Sequence, residues 1–142
     1  MQVRDAMAKT IARAEPSTTI KEVAVMMRRE DCGFIPIVRG EHLDGVVTDR
    51  DIVVRFCADG LAEGSMLTTP IADIMTTRPI GIQADANLED AGHLMAEHQI
   101  RRLVVLEGQR VVGVLSFGNL EQALHAHGEC AEEVVLGVTS GC

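Results

Sequence analysis

The chain carries one pattern twice, at an offset that never changes. Asp5 in Val3-Arg4-Asp5-Ala6-Met7 and Asp73 in Ile71-Ala72-Asp73-Ile74-Met75 stand 68 positions apart. At that offset Ile20 meets Leu88, Met27 meets Met95, the run Ile35–Val38 meets Leu103–Leu106, and Gly40 meets Gly108. Gly45-Val46-Val47-Thr48 falls on Gly113-Val114-Leu115-Ser116, Asp51 on Asn119, and Ala58-Asp59-Gly60 on Ala126-His127-Gly128. No gap is needed. Identities are few, but apolar character and glycine positions agree throughout. A duplicated unit of about 60 residues buries too little surface to be secure alone. The expectation is therefore two like units packed about a pseudo-two-fold axis, sharing one core.

Each copy reads as β-α-β-β-α. A short extended start (Thr10–Ala14; Pro79–Ile82) leads to a cap-like stretch, Ser17-Thr18-Thr19 or Asp85-Ala86-Asn87. Ile20, Val23, Ala24 and Met27 keep the i, i+3, i+4, i+7 spacing of one helix face, as do Leu88, Ala91, Gly92 and Met95. Apolar runs at Phe34–Val38 and Leu103–Leu106 suit buried strands. A glycine-containing turn and a second strand, Gly45–Thr48 or Val111–Ser116, complete a hairpin. A closing helix follows, over about 49–58 and 119–127. The pattern divides the chain into repeat one (1–60), a linker (61–70), repeat two (71–128) and a tail (129–142).

Composition narrows the function. A formal net charge of -8 argues against a long-range attraction for nucleic acid. With no Trp or Tyr and only three Phe, a stacking platform for single strands is missing as well. The first ten residues hold Arg4, Asp5 and Lys9 without an apolar stretch, so they do not read as a signal peptide. No apolar run approaches the roughly 18 residues of a membrane span. These features point to a cytoplasmic protein without membrane partners. The four cysteines, at 32, 57, 130 and 142, form no C-x-x-C and read as reduced thiols.

The heptapeptide Gly45-Val46-Val47-Thr48-Asp49-Arg50-Asp51, entering a helix, resembles the G-h-h-[ST]-x-x-[DN] motif of the CBS domain. Its recurrence after an apolar strand and a glycine turn resembles the tandem pair called a Bateman module, over about residues 2–128. Members of that family commonly hold AMP, ATP or S-adenosylmethionine between their repeats and regulate an attached or partner protein. The resemblance thus implies AMP, ADP or ATP as ligand, with S-adenosylmethionine as a further candidate, and a regulated protein the sequence does not name. It implies no catalytic activity.

Elementary chemistry runs alongside. A helix N-terminus favours phosphate. Thr48 offers a hydroxyl donor, and Asp51 can accept from two vicinal ribose hydroxyls. The same residues also suit a plain N-cap with an acidic third residue, and from the heptapeptide alone both readings stand. The second copy keeps the hydroxyl in Ser116 but has Asn119 for the carboxylate, and Phe117-Gly118 replaces Asp49-Arg50.

By the family's pattern each cleft takes ribose and phosphate from one repeat and the base from the other. The Thr48/Asp51 cleft then uses the backbone near Thr76-Thr77, Ile80 to Ile82 and Ile100 to Arg102. The Ser116/Asn119 cleft uses Ala8-Lys9, Ala12 to Ala14 and Cys32 to Phe34. The first is expected to be the occupied one. Arg50, Arg101 and Arg102 are its candidate phosphate contacts, and surface ion pairs are their plain alternative.

Other chemistry is weaker. No P-loop, G-x-G-x-x-G or Ser-His-Asp arrangement is found in the sequence. His125, His127 and Cys130 are zinc-type ligands, but i and i+2 on a helix face different ways. No metal site is therefore expected. Cys32 and Cys57 are expected to be buried or at a cleft wall, and Met26, Met27, Met66, Met75 and Met95 to fill the core. The second helices are apolar on more than one face (Ile52-Val53-Val54, Phe56-Cys57; Leu120, Ala123-Leu124). That predicts a homodimer formed through them, with Val25 and Met26 contributing. A ligand-free interaction module, or one responding to zinc or redox state through the tail cysteines, is the alternative.

Overall fold

The computed structural model describes residues 1–60 and 64–128. The tail cysteines, Cys130 and Cys142, lie outside them, as do the first three linker positions. The chain forms two compact units, and their boundaries do not follow the sequence repeat. One unit is Ile11–Pro79; the other joins Met1–Thr10 to the chain from Ile80 onward. Each repeat therefore places its opening segment in the unit built mainly from the other repeat.

In the first unit, helix α2 (Ile20–Glu30) opens on a reciprocal cap. The Glu22 amide donates to Thr19 Oγ1 at 3.2 Å, and the Thr19 amide donates to Glu22 Oε2 at 2.8 Å. Thr19→Ala is expected to lower stability by about 1 kcal/mol, read as a shifted urea midpoint with an unchanged m-value. The helix ends at Asp31, whose φ of 48° is left-handed. Strands β1 (Phe34–Arg39) and β2 (His42–Thr48) pair antiparallel, with Phe34 opposite Thr48 and Arg39 opposite His42. The turn between them requires a φ of +65° at Gly40, where a side chain would be strained. Ala14 bridges to Ile37 in parallel, so the extended start of this copy is a single bridge. Ala14, Ile20, Val23, Met27, Ile35, Ile37, Val47, Ile71 and Ile74 form the core.

The second unit repeats this scheme. Short helix α1 (Val3–Ala6) buries Val3. Strand β3 (Gly81–Gln83) pairs parallel with β4 (Arg102–Glu107), which pairs antiparallel with β5 (Arg110–Ser116). Helix α4 (Leu88–His98) buries Leu88, Ala91, Gly92 and Met95 and ends at Gln99, φ 52°. Helix α5 (Phe117–Ala126) buries Leu120 and Leu124. Val3, Ile82, Leu103, Val105 and Leu115 join them in a second core cluster. Most of the buried apolar residues fall into these two clusters, one per unit, while buried Val38, Val104 and Val111 belong to neither.

The 68-residue offset survives in fine detail. Register shifts fall between Ile37 and Val38 and between Val105 and Leu106. The left-handed residues Asp31 and Gln99 also correspond. Most telling are two glycines. A Cβ on Gly45 would lie 2.6 Å from the Thr76 carbonyl oxygen and 2.8 Å from Met75 Sδ; on Gly113 it would lie 2.6 Å from the Ala8 carbonyl oxygen and 2.7 Å from Met7 Sδ. Each glycine is therefore sealed by the methionine of the other repeat's opening segment. Backbone pairs fix the contact: Val46 with Thr76, and Ala8 with Val114.

Some expectations are corrected. Asn87 stands at the N-cap of α4, yet its side chain accepts no cap bond. The Leu88 amide donates to the Met1 carbonyl instead. Cys57 is exposed and Cys32 is half-buried against the first core. Met66 is also exposed, in the segment before Pro70, so it fills no core. Among the described residues no helix is long and apolar enough to cross a membrane.

Candidate functional site

The two conserved-offset motifs are both helix caps, and their chemistry differs. Thr48 ends β2 in an extended conformation and starts α3 (Asp49–Asp51). The Asp51 amide donates to Thr48 Oγ1 at 3.1 Å, and the Thr48 amide donates to Asp51 Oδ2 at 2.9 Å. The cap reading is thus fulfilled. It does not use up the groups. The Thr48 hydroxyl proton has no protein acceptor among the described residues, and Asp51 keeps acceptor capacity at Oδ1. That oxygen lies 3.7 Å from Arg55 Nε, an ion pair beyond hydrogen-bond distance, and the Asp51 side chain is 18% exposed.

After Asp51 the helix widens into a π-helix, Ile52–Ala58, in which the Asp59 amide reaches back five residues to the Val54 carbonyl at 2.7 Å. It leaves Val53 60% and Val54 38% exposed. The Asp49 amide donates to the Gly33 carbonyl at 3.1 Å. The Asp49 carboxylate sits where a Gly33 Cβ would be, at 2.6 Å, so glycine is needed there.

The second cap is closed on itself. The Asn119 amide donates to Ser116 Oγ at 3.1 Å, and the Ser116 hydroxyl donates to Asn119 Oδ1 at 2.6 Å. The proton that is spare in Thr48 is therefore engaged here, and no charge is present. The Phe117 amide donates to the Arg101 carbonyl at 2.8 Å, the counterpart of the Asp49–Gly33 bond.

The expected site residues divide between the units. Thr48, Arg50, Asp51, Ala12, Cys32, Phe34 and Thr76 belong to the first; Ile80, Ile82, Ile100, Arg101, Arg102, Ser116 and Asn119 belong to the second. Within the first unit Phe34 lies opposite Thr48, and within the second Arg102 lies opposite Ser116. Ile82 is a core residue, while Ile80 and Ile100 are half-buried against that core. Ala12 and Cys32 pack on the first core. Arg50, Arg101 and Arg102 are exposed and have no ion pair among the described residues. None of these residues borders the surface cavity of about 530 Å³ in the second unit, which is lined by Arg4, Asp5, Met7, Lys9, Glu107, Arg110 and Val112. Sequence reading missed Arg55, although its i+4 spacing from Asp51 was visible.

Two like α/β units, with a hydroxyl–carboxylate cap at a strand end in one and a hydroxyl–amide cap in the other, make a tandem-repeat module. The CBS domain model matches residues 3–57 and 71–126, so the chain belongs to the CBS-domain family. It is 39% identical over 118 residues to the CBS domain-containing protein YhcV of Bacillus subtilis, covering 83% of this chain and 81% of that one. The crystal structure of Hypoxic Response Protein I with two coordinated zinc ions superposes with a TM-score of 0.78 at 29% identity, covering 87% of this chain and 99% of that one. CBSX2 in complex with AMP superposes with a TM-score of 0.78 at 24% identity, covering 90% and 98%, which shows the fold alone. CBS pairs are regulatory modules, and this chain is one of them by its family.

Proposed function

We propose that this chain is a non-enzymatic sensor that binds an adenine nucleotide through Thr48 and Asp51. The observation that carries the reading is the difference between the two caps. Among the described residues the Thr48 hydroxyl proton has no acceptor and Asp51 keeps a half-buried carboxylate oxygen, whereas the Ser116 hydroxyl donates to Asn119 and no carboxylate is present. The carboxylate accepts the two ribose hydroxyls and the threonine donates to phosphate. Arg50, exposed and free of ion pairs among the described residues, supplies a cation within the same unit. The AMP held by CBSX2 supports the ligand class. S-adenosylmethionine shares the adenosine and remains a competing ligand.

Exposed Val53 and Val54 support the homodimer through the closing helices. Nucleotide bound better by one arrangement of the module shifts it toward that arrangement, which a partner protein in the cytoplasm reads. The test is isothermal titration with AMP, ATP and S-adenosylmethionine. A saturable isotherm for an adenosine ligand, with one site per chain, supports the proposal. No heat from any of them at millimolar concentration overturns it.

Zinc gives a second reading, favoured by the two zinc ions of Hypoxic Response Protein I. Among the described residues no group of three metal-ligating side chains occurs, and Cys130 lies outside them. A melting shift produced by zinc and not by nucleotide selects this alternative.

A further inference from the structure

We propose that Arg55 is a positioning residue that couples the Asp51 carboxylate to the chain segment Ile74–Thr76, and thereby links ligand binding to the path between repeats. The ligand part rests on the adenine-nucleotide reading; the coupling itself does not.

Arg55 is 35% exposed and faces two groups at once. Its Nη1 donates to the Ile74 carbonyl oxygen at 2.9 Å, and its Nε stands 3.7 Å from Asp51 Oδ1. A guanidinium holds two such directions in one rigid plane, which an ammonium cannot do. Ile74 is 1% exposed and ends the 3-10 turn Ile71–Asp73. The next residue, Met75, seals Gly45, and Thr76 exchanges backbone bonds with Val46 at 2.8 and 3.1 Å. Three residues beyond Thr76 the first unit ends. The guanidinium therefore ties the motif carboxylate to the segment by which the chain leaves that unit.

The second repeat lacks the whole device. Position 119 is Asn where the first repeat has Asp51, and position 123 is Ala where it has Arg55. Carboxylate and guanidinium are present together or missing together, as expected of groups that act on each other. A ligand hydroxyl that takes Oδ1 redirects the charge Arg55 faces, and the Ile74 carbonyl feels the change.

Amide hydrogen exchange on the full chain tests this. In ligand-free protein, Arg55→Ala is expected to speed exchange of the Thr76 amide about tenfold, with interior amides of α2 unchanged. Asp51→Asn is expected to produce part of that acceleration, and the double variant to match Arg55→Ala alone rather than the product of the two. Arg55→Lys falls between. With AMP, the wild-type Thr76 amide changes its rate and the Arg55→Ala amide does not. An unchanged Thr76 rate in Arg55→Ala, multiplicative single effects, or AMP binding that leaves Thr76 untouched overturns the proposal. A wild type that binds no AMP overturns the nucleotide reading instead, and the ligand-free cycle still decides Arg55.

Discussion

Asp51→Ala is expected to weaken AMP binding by about a hundredfold, while the chain stays folded. Two charge-assisted bonds from ribose hydroxyls are lost together, and each is stronger than a neutral one. The same substitution removes the acceptor for the Thr48 amide, so some stability goes with it, about 1 kcal/mol. Asp51→Asn separates the two roles. Asparagine can still accept the cap bond, as Asn119 does at the matching position, so stability is nearly kept while affinity falls about tenfold. Titration calorimetry beside thermal melts reads both. If Asp51→Ala and Asp51→Asn bind AMP like the wild type, the cap is only a cap and the ligand lies elsewhere.

The second large effect concerns space rather than charge. Gly45→Ala and Gly113→Ala each drive a methyl group to 2.6 Å from a backbone oxygen and against a methionine sulfur. A sulfur at the end of a flexible side chain yields; a carbonyl held by paired backbone bonds does not. Each substitution is expected to destabilise by about 3 kcal/mol and to lower the melting temperature by roughly 10 °C. Gly118→Ala is the control, since its nearest atom is Ser116 Oγ at 3.9 Å. Scanning calorimetry that finds all three variants within a degree or two of the wild type removes the sealing role assigned to Met7 and Met75.

Much of this architecture was legible because the repeat supplied its own check. Apolar spacing placed α2 and α4, and the glycine turns placed both hairpins. The heptapeptide marked Thr48 and Asp51. What escaped depends on contacts far along the chain. Nothing local announces that Met75 completes Gly45, since the two are brought together by the fold and not by periodicity. The π-helical turn after Asp51 has no mark in the residue spacing. Asp31 and Gln99 were missed as helix stops because the usual signal is glycine, and both are tolerated exceptions. The cap chemistry at Ser116 was half read: the loss of charge was plain, but the capture of its proton by Asn119 needed the side-chain geometry.

The traded opening segments bear on how such a chain divides. A fragment ending near residue 60 would carry Met7, the plug for Gly113, without Met75, the plug for its own Gly45. By the repeat's offset, Met7 of a second fragment fits that vacancy. A single copy is therefore complete only when another copy lends it its first residues. Cutting the present chain between its repeats should yield pieces that rejoin, and stable halves should come only from cuts that follow the exchange.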